Sequence, residues 1–208
     1  MYIPSTNRWE DQEGVLAFMQ RFSFASIINV NGSGLPLATH LPFVLDIRGE
    51  QLFLKAHFAR ANDQWTFLDQ QTSLVVFSEP HAYVSPAHYN KKQNVPTWNY
   101  QAVHVYGQAR VVEDGPTARA IVEDLIQQSE PGYLKQWKEL SPAYQEAMFK
   151  GIVAFEMLVT DVQAKSKLSQ NKQPEEQMRI AEELLHSADT GERYLGKEML
   201  NQLNKDQP

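Results

Sequence analysis

The chain has 208 residues, a formal net charge of -6 and no cysteine, and 42% of its residues are hydrophobic. These values indicate one large domain, or a domain with an appendage, and they exclude disordered and collagen-like chains. Without cysteine, disulfides, thiolate metal sites and cysteine nucleophiles are excluded as well.

The first part of the chain predicts a helix followed by an antiparallel meander. Thr6 or Asn7 can cap the helix, whose apolar residues recur at helical spacing up to Phe22. Three β-rich runs joined by glycine-containing turns come next. Because proline cannot donate to a strand ladder, Pro36 and Pro42 predict that the second run is an edge, bulged or interrupted. Such a break would expose backbone groups to a ligand, and a bend at a barrel corner would explain the prolines equally well.

A junction between a strand and a helix is predicted at residues 55–68. Lys55, His57 and Arg60 precede a stretch in which Trp65 recurs at helical spacing with other apolar residues. Backbone N–H groups and the positive end of a helix dipole would meet there, and arginine offers paired donors to phosphate oxygens. The junction therefore predicts a phosphate site, with a solvated arginine and an internally bonded histidine as the alternative.

The aromatic-rich part of the chain lies between residues 80 and 107. Its rings and polar groups suit a planar ligand, and they include His81, Tyr83, Trp98 and Tyr100. The alternative is that these rings fill the core of a barrel or sandwich. Residues 100–112 alternate in polarity, which places His104 on a strand face that looks at a cleft or a partner surface.

The remaining sequence predicts helices around one more strand. An Asp-Gly-Pro sequence at 114–116 opens an amphipathic helix, Ser141 starts a shorter helix, and residues 152–162 form a strand. Residues 165–171 follow that strand, and their cations, hydroxyl and amides suit contacts with phosphate or ring edges. Lys165, Lys167 and Lys172 are also the best local basic patch for a nucleic acid, but so sparse a patch is more often a solvated turn.

Together these elements predict a mainly β protein with peripheral helices (α+β), built on a small closed or half-open barrel. Residues 1–171 would form the barrel domain, and residues 172–208 a helical extension packed on the barrel or on a dimer partner. A helix-turn-helix is disfavoured in this extension, because acidic residues outnumber basic ones from Lys172 onward.

The sequence predicts no catalytic residue and no metal site. The histidines match no standard ligand spacing, and neither a serine nucleophile elbow nor a dinucleotide fingerprint occurs. An enzymatic activity is therefore left open.

Composition also limits the partners. No apolar run approaches the roughly 18 residues of a membrane helix, and no signal peptide is evident, so we expect a cytoplasmic protein with no membrane partner. The 19 basic residues against 25 acidic ones argue against direct DNA binding.

Six segments stand in order along nearly the whole chain: MYIP at 1–4, THLPF at 39–43, KAHFARANDQW at 55–65, PHAYVSP at 80–86, VPTWNYQAVHVYG at 95–107 and KLSQN at 167–171. They resemble the PaiB-type FMN-binding negative transcriptional regulators. The resemblance implies a split β-barrel related to pyridoxamine-phosphate oxidase and flavin reductases. It also implies a homodimer with FMN at or near the subunit interface.

The resemblance further implies which residues bind the cofactor. The phosphate end is expected at Lys55, His57, Arg60 and Asn62, and the edge of the isoalloxazine ring along the backbone of Thr39, His40, Leu41 and Pro42. Trp98 and Tyr100 are the expected stacking residues, and Lys167, Ser169 and Gln170 would close the site.

The implied function is that of an FMN-binding regulator. A flavin-dependent oxidoreductase or flavin reductase, or a haem-handling protein on the same fold, is the alternative, because the cofactor carries the electron transfer and needs no catalytic side chain.

Overall fold

The computed structural model describes residues 1–205, and these residues form eight strands and six α-helices. The strands are β1 (Phe24–Val30), β2 (Pro36–Pro42), β3 (Val44–Arg48), β4 (Gln51–Ala59), β5 (Ser73–Phe77), β6 (His81–Val84), β7 (Thr97–Val111) and β8 (Ile152–Lys167). The helices are α1 (Gln12–Arg21), α2 (Gly115–Ser129), α3 (Tyr133–Glu139), α4 (Pro142–Phe149), α5 (Pro174–Leu185) and α6 (Thr190–Lys205). Short 3-10 helices occupy Ser5–Asn7, Asp63–Gln70 and Pro86–His88.

The chain divides into two compact units. Unit 1 comprises Met1–Val15, Ser78–Val103 and Gln163–Pro208, and unit 2 comprises Leu16–Phe77 and His104–Val162. The long strands β7 and β8 each contribute residues to both units. The predicted domain boundary after residue 171 stays a prediction. The last three residues of the predicted helical extension, 206–208, lie outside the described residues.

Unit 2 is built on strands in the order β2-β1-β5-β7-β8-β4-β3. Strands β2 and β3 lie at opposite ends of this order, yet only Phe43 separates them in the chain, so the sheet must curl until its two edges approach. Phe43 is fully buried, and its ring lies 6.0 Å from that of Phe77 and 6.2 Å from that of Phe155. The interruption predicted from Pro36 and Pro42 is thus confirmed: β2 ends at Pro42 and the chain changes edge.

Helix α2 covers part of the sheet in unit 2. Ile121 and Leu125 pack on Ala154 of β8, and Asp114 caps the helix by accepting a hydrogen bond of 2.8 Å from the backbone N–H of Thr117. The predicted helix starts at residues 114–116 and at Ser141 are confirmed. Helix α3 was not predicted, because its seven residues are too few to display an apolar period.

In unit 1 the last two helices pack on each other and on β6. Their core consists of Ala82, Val84, Tyr89, Leu168, Ile180, Ala181, Leu184, Leu195 and Met199. Gly196 permits the close approach of α6 to α5, because a Cβ atom there would lie 2.9 Å from the carbonyl oxygen of Ala181.

Three predictions about local structure are wrong. Helix α1 begins at Gln12 and Asp11 accepts from the N–H of Gly14 at 3.0 Å, so Thr6 and Asn7 do not cap it. The segment after Asn62 is a 3-10 helix, whose irregular geometry weakens the argument from the helix dipole. Strand β8 extends to Lys167, so Lys165 and Lys167 belong to a strand and not to a solvated turn.

Within residues 1–205, no helix is both long enough and apolar enough to span a bilayer.

Candidate functional site

Four aromatic side chains share one face of β6 and β7 in unit 1, because His81 pairs with Tyr100 and Tyr83 with Trp98. The ring centres of His81 and Trp98 are 5.7 Å apart, and those of Tyr83 and Trp98 are 5.8 Å apart. Trp98 is 52% exposed and Tyr83 51% exposed. These four residues, called the aromatic face below, therefore form a surface platform and do not fill the core.

Two lysines of β8 border the aromatic face. The Nζ atom of Lys165 lies 5.1 Å from the ring centre of Tyr100 and 5.8 Å from that of Tyr2. Lys167 donates from Nζ to the hydroxyl of Thr97 and the carbonyl of Trp98. Neither ammonium group has a carboxylate partner in the part of the chain that the structure describes. Burial, and next the charge of Lys165, lower the pKa of Lys167.

The loop after β8 holds Ser169 and Gln170 by internal bonds. Ser169 is buried with a left-handed backbone (φ 63°), and its hydroxyl donates to Asn99 Oδ1 at 2.9 Å. The Gln170 side chain accepts from the N–H of Leu168 at 2.7 Å and donates to the carbonyl of Ser166. The structure thus brings Trp98, Tyr100, Lys167 and Ser169 into one region of unit 1, with the last fixed by Asn99.

The predicted residues Thr39 and Asn62 meet in unit 2. Asn62 donates to the Thr39 hydroxyl at 2.8 Å, and that hydroxyl donates to Gln64 Oε1 at 2.7 Å. Gln64 is buried and donates in turn to the carbonyl of Ile27 at 3.1 Å. This network fastens the 3-10 helix at Asp63–Gln70 to strands β1 and β2.

The neighbours of Thr39 along β2 differ in exposure. His40 is exposed and stacks on the exposed ring of Phe24 with ring centres 6.2 Å apart. Leu41 is buried, and Pro42 ends the strand. This face of the β1–β2 pair therefore presents rings to the surface of unit 2.

The polar groups of Lys55 and His57 differ, because the Lys55 ammonium is paired and one ring nitrogen of His57 is not. Lys55 is 9% exposed, and its Nζ atom lies 2.7 Å from Asp46 and 3.1 Å from Asp124. Burial acts to lower the pKa of Lys55, but hydrogen bonds to these two carboxylates outweigh it and raise the pKa. Burial lowers the pKa of His57, whose Nδ1 atom is buried and has no partner among the described residues. Burial at this position therefore favours the neutral form of the imidazole.

Arg60 borders a cavity in unit 2. Its guanidinium donates to the carbonyls of Lys150 and Ile152 at 2.8 Å each. The cavity has a volume of about 1050 Å³, and Trp65 and Arg119 also line it. That volume suits a nucleotide-sized ligand.

The described residues contain no cluster of three or more histidine and carboxylate side chains able to hold a metal ion.

The cofactor-binding residues implied by the resemblance include Lys167 but not Lys165, although residues 165–171 were recognised as suited to contacts with phosphate or ring edges. Lys165 and Lys167 stand two positions apart, and this spacing places both on one strand face. The signal was available, but it required knowing that β8 continues to Lys167.

Comparisons with known proteins identify the family and the fold of this chain. Residues 1–161 match the family described as "Putative FMN-binding domain". The chain is 36% identical over 209 residues to the protease synthase and sporulation protein PAI 2 of Bacillus subtilis, covering 99% of each chain.

Two solved structures show the fold. The flavocytochrome Anf3 of Azotobacter vinelandii matches with a TM-score of 0.59 and 18% identity, over 76% of this chain and 68% of that one. The FAD and heme binding protein of Mycobacterium smegmatis matches with a TM-score of 0.57 and 16% identity, over 77% of this chain and 73% of that one. The predicted split β-barrel with peripheral helices is thereby confirmed. The chain belongs to the FMN-binding family whose model spans residues 1–161, as its resemblance to the PaiB-type proteins predicted.

Proposed function

We propose that this protein binds FMN on the aromatic face of unit 1 and acts, as a homodimer, in the manner of a PaiB-type regulator. The observation that carries the proposal is the proximity of exposed rings to ammonium groups that have no carboxylate partner among residues 1–205. FMN is a planar heterocycle with an anionic tail, and such a surface offers stacking faces together with uncompensated positive charge.

The proposal assigns roles to the predicted residues of unit 1. Trp98 and Tyr100 stack on the ring system, and Lys167 supplies a donor beside them. Ser169 and Gln170 shape the loop that follows, because their side chains are already bonded within the protein.

The predicted phosphate residues belong to unit 2. They give a second placement of FMN, separate from the aromatic face and within unit 2, in which Arg60 and Asn62 are our candidates for the phosphate end and His57 for a neighbouring donor. Lys55 is better assigned to its two carboxylates, since contact with phosphate would require it to give them up. The backbone of residues 39–42 stays our candidate for the ring edge.

The homodimer is supported by the surface of β1 and β2. Phe24 is 65% exposed and stacks on the exposed His40, and apolar rings of this kind are favoured in contacts between subunits. The regulatory role is taken from the resemblance to the PaiB-type proteins, and the name of the Bacillus subtilis relative adds only that it is a sporulation protein. The acidic balance of the chain favours regulation without direct DNA binding.

The test is a titration of the purified protein with FMN, followed by absorption and fluorescence. We expect flavin bands that survive gel filtration, elution as a dimer, and loss of binding in Trp98→Ala. FMN that washes through the column would overturn the proposal, and haem is the competing ligand to test next. Oxidation of reduced nicotinamide by the loaded protein would favour the oxidoreductase alternative over the regulator.

A further inference from the structure

Lys165 is an unusual side chain in unit 1. It is only 7% exposed, yet its ammonium group has no ion pair within the described chain. Its contacts are the rings of Tyr2 and Tyr100 and a hydrogen bond of 3.4 Å to the carbonyl of Tyr2. All of these partners are neutral.

Burying a charge without a counter-ion is costly, because rings and one long hydrogen bond replace only part of its hydration. Lys167 adds a second positive charge on the same strand face, and its donors are taken by the neutral oxygens of Thr97 and Trp98. Two like charges side by side, with no carboxylate, raise that cost further. A negatively charged ligand group would remove it.

We propose that Lys165 and Lys167 form an anion subsite at the edge of the aromatic face, which takes the negatively charged part of the flavin. This inference rests on the proposed function and adds Lys165, with its charge, to the binding residues. Two parts of FMN have the required chemistry. One is the phosphate, and the other is the pyrimidine edge of the reduced ring, which carries negative charge near N1.

Tyr2 and Tyr100, the two rings beside Lys165, make the subsite selective for an anion. The ring centre of Tyr100 lies 5.1 Å from the ammonium nitrogen, and that of Tyr2, a residue that is itself 83% exposed, lies 5.8 Å from it. Because Lys165 as a whole is buried, an anion on the aromatic face meets a poorly screened charge. A flavin ring stacked on the aromatic face, with its anionic edge toward β8, would contact both the aromatic side chains and the two lysines.

The experiment uses the full-length protein with Lys165→Met, and with Lys172→Met as the matched control. Lys172 is also a lysine of unit 1 that lies over a tyrosine ring, 3.8 Å from the centre of Tyr89, but it bonds to Asn94 and not to the aromatic face. Each variant is titrated with FMN and with riboflavin, and the midpoint potential of the bound flavin is measured.

If the subsite takes the phosphate, Lys165→Met weakens FMN binding by about tenfold or more and leaves riboflavin binding unchanged. If it takes the reduced ring, oxidised FMN and riboflavin bind as before. The midpoint potential then falls by about 30 mV or more, which is a tenfold loss of affinity for the reduced form in a two-electron couple. Lys172→Met changes neither readout. Unchanged FMN affinity together with an unchanged potential in Lys165→Met overturns the subsite.

Two further measurements keep the inference separate from the proposed function. If the wild-type protein binds no flavin, the proposed function fails, and pyrophosphate becomes the probe. A thermal stabilisation by pyrophosphate that Lys165→Met abolishes supports the subsite, and no stabilisation overturns it. If Lys165→Met does not fold, Lys167→Met is tested against the same outcomes.

Discussion

Two buried strand lysines behave differently in the two units. Lys55 in unit 2 is 9% exposed and Lys165 in unit 1 is 7% exposed, so their burial is nearly equal. Lys55 has two carboxylates within 3.1 Å, whereas Lys165 contacts two rings and a carbonyl. The comparison teaches that burial alone does not identify a binding residue. What distinguishes Lys165 is that its ammonium group has no counter-ion among the described residues, and our proposal of an anion subsite rests on that difference.

The largest expected effect is a difference in unfolding free energy between variants of Lys55 and Lys165. Lys55→Met should lower the free energy of unfolding by about 2 to 3 kcal/mol, because Asp46 and Asp124 lose their counter-ion. The two carboxylates are partly exposed, and the loss is therefore smaller than for a fully buried ion pair. Lys165→Met should leave the stability of the flavin-free protein unchanged or raise it, since it removes an uncompensated charge. Urea unfolding of both variants measures this. Equal losses of unfolding free energy in the two variants would contradict the distinction between a compensated and an uncompensated lysine.

Next in size is the loss of stacking on the aromatic face. Trp98→Ala should weaken FMN binding by about 1 to 3 kcal/mol, the usual range for an aromatic ring stacked on a base, with little change in stability because the ring is half exposed. Trp65→Ala is the control, since Trp65 lines the cavity of unit 2. Fluorescence titration of both variants with FMN decides between the aromatic face and the cavity as the flavin site. A larger loss of affinity in Trp65→Ala would indicate that the flavin binds in the cavity.

Arg60→Ala should cost about 1.5 kcal/mol of FMN affinity if its guanidinium binds the phosphate. Riboflavin lacks the phosphate, so its affinity should not change. The variant also loses two bonds to carbonyl groups, and its unfolding should therefore be measured in parallel. An equal effect on both flavins would show that Arg60 acts through the fold.

The smallest expected effects are those of pH, and they have opposite signs in the two units. In unit 2 burial acts to raise the pKa of Asp46, but hydrogen bonds from Lys55 and Arg48 outweigh it and lower the pKa. The stability from this group is therefore present above the ordinary aspartate pKa of about 3.9 and is lost as the pH falls through the lowered value. Urea unfolding between pH 7 and pH 3 should show this loss, and Lys55→Met should reduce it.

In unit 1 the lowered pKa of Lys167 predicts an effect that is lost as the pH rises. FMN affinity should fall as the pH rises, beginning below the ordinary lysine pKa of about 10.4, because the ammonium loses its charge earlier than a solvated lysine. Titrations between pH 7 and pH 10 measure this. Affinity that is flat over that range for both oxidised and reduced FMN would remove Lys167 from the anion subsite.

Much of the fold could be predicted from local patterns. The two prolines in the second β-rich run placed its interruption correctly, since a missing N–H acts wherever the strand lies. The alternation in β7 placed the half-exposed His104 on the correct face. The seven residues of α3 gave no such pattern, and the start of α1 depended on a choice between several capping residues.

The candidate site could be predicted only in part. The sequence indicated an aromatic-rich stretch and named Trp98 and Tyr100 as stacking residues, but the pairing of β6 with β7 that brings His81 and Tyr83 beside them was not predicted. Ser169 and Gln170 were identified too, but their internal bonds to Asn99, Leu168 and Ser166 were not foreseen, because those partners meet only where the chain turns after β8.

The sequence by itself determined the family, the strand and helix pattern, and the residues able to stack on a planar ligand. These depend on short-range periodicity and on motifs that are contiguous in the chain. Only the tertiary structure decided which lysines are compensated. Asp124 reaches Lys55 from 69 positions away, and Tyr2 reaches Lys165 from 163 positions away. Electrostatic pairing depends on distances in space of a few ångströms, and the order of residues along the chain does not specify them.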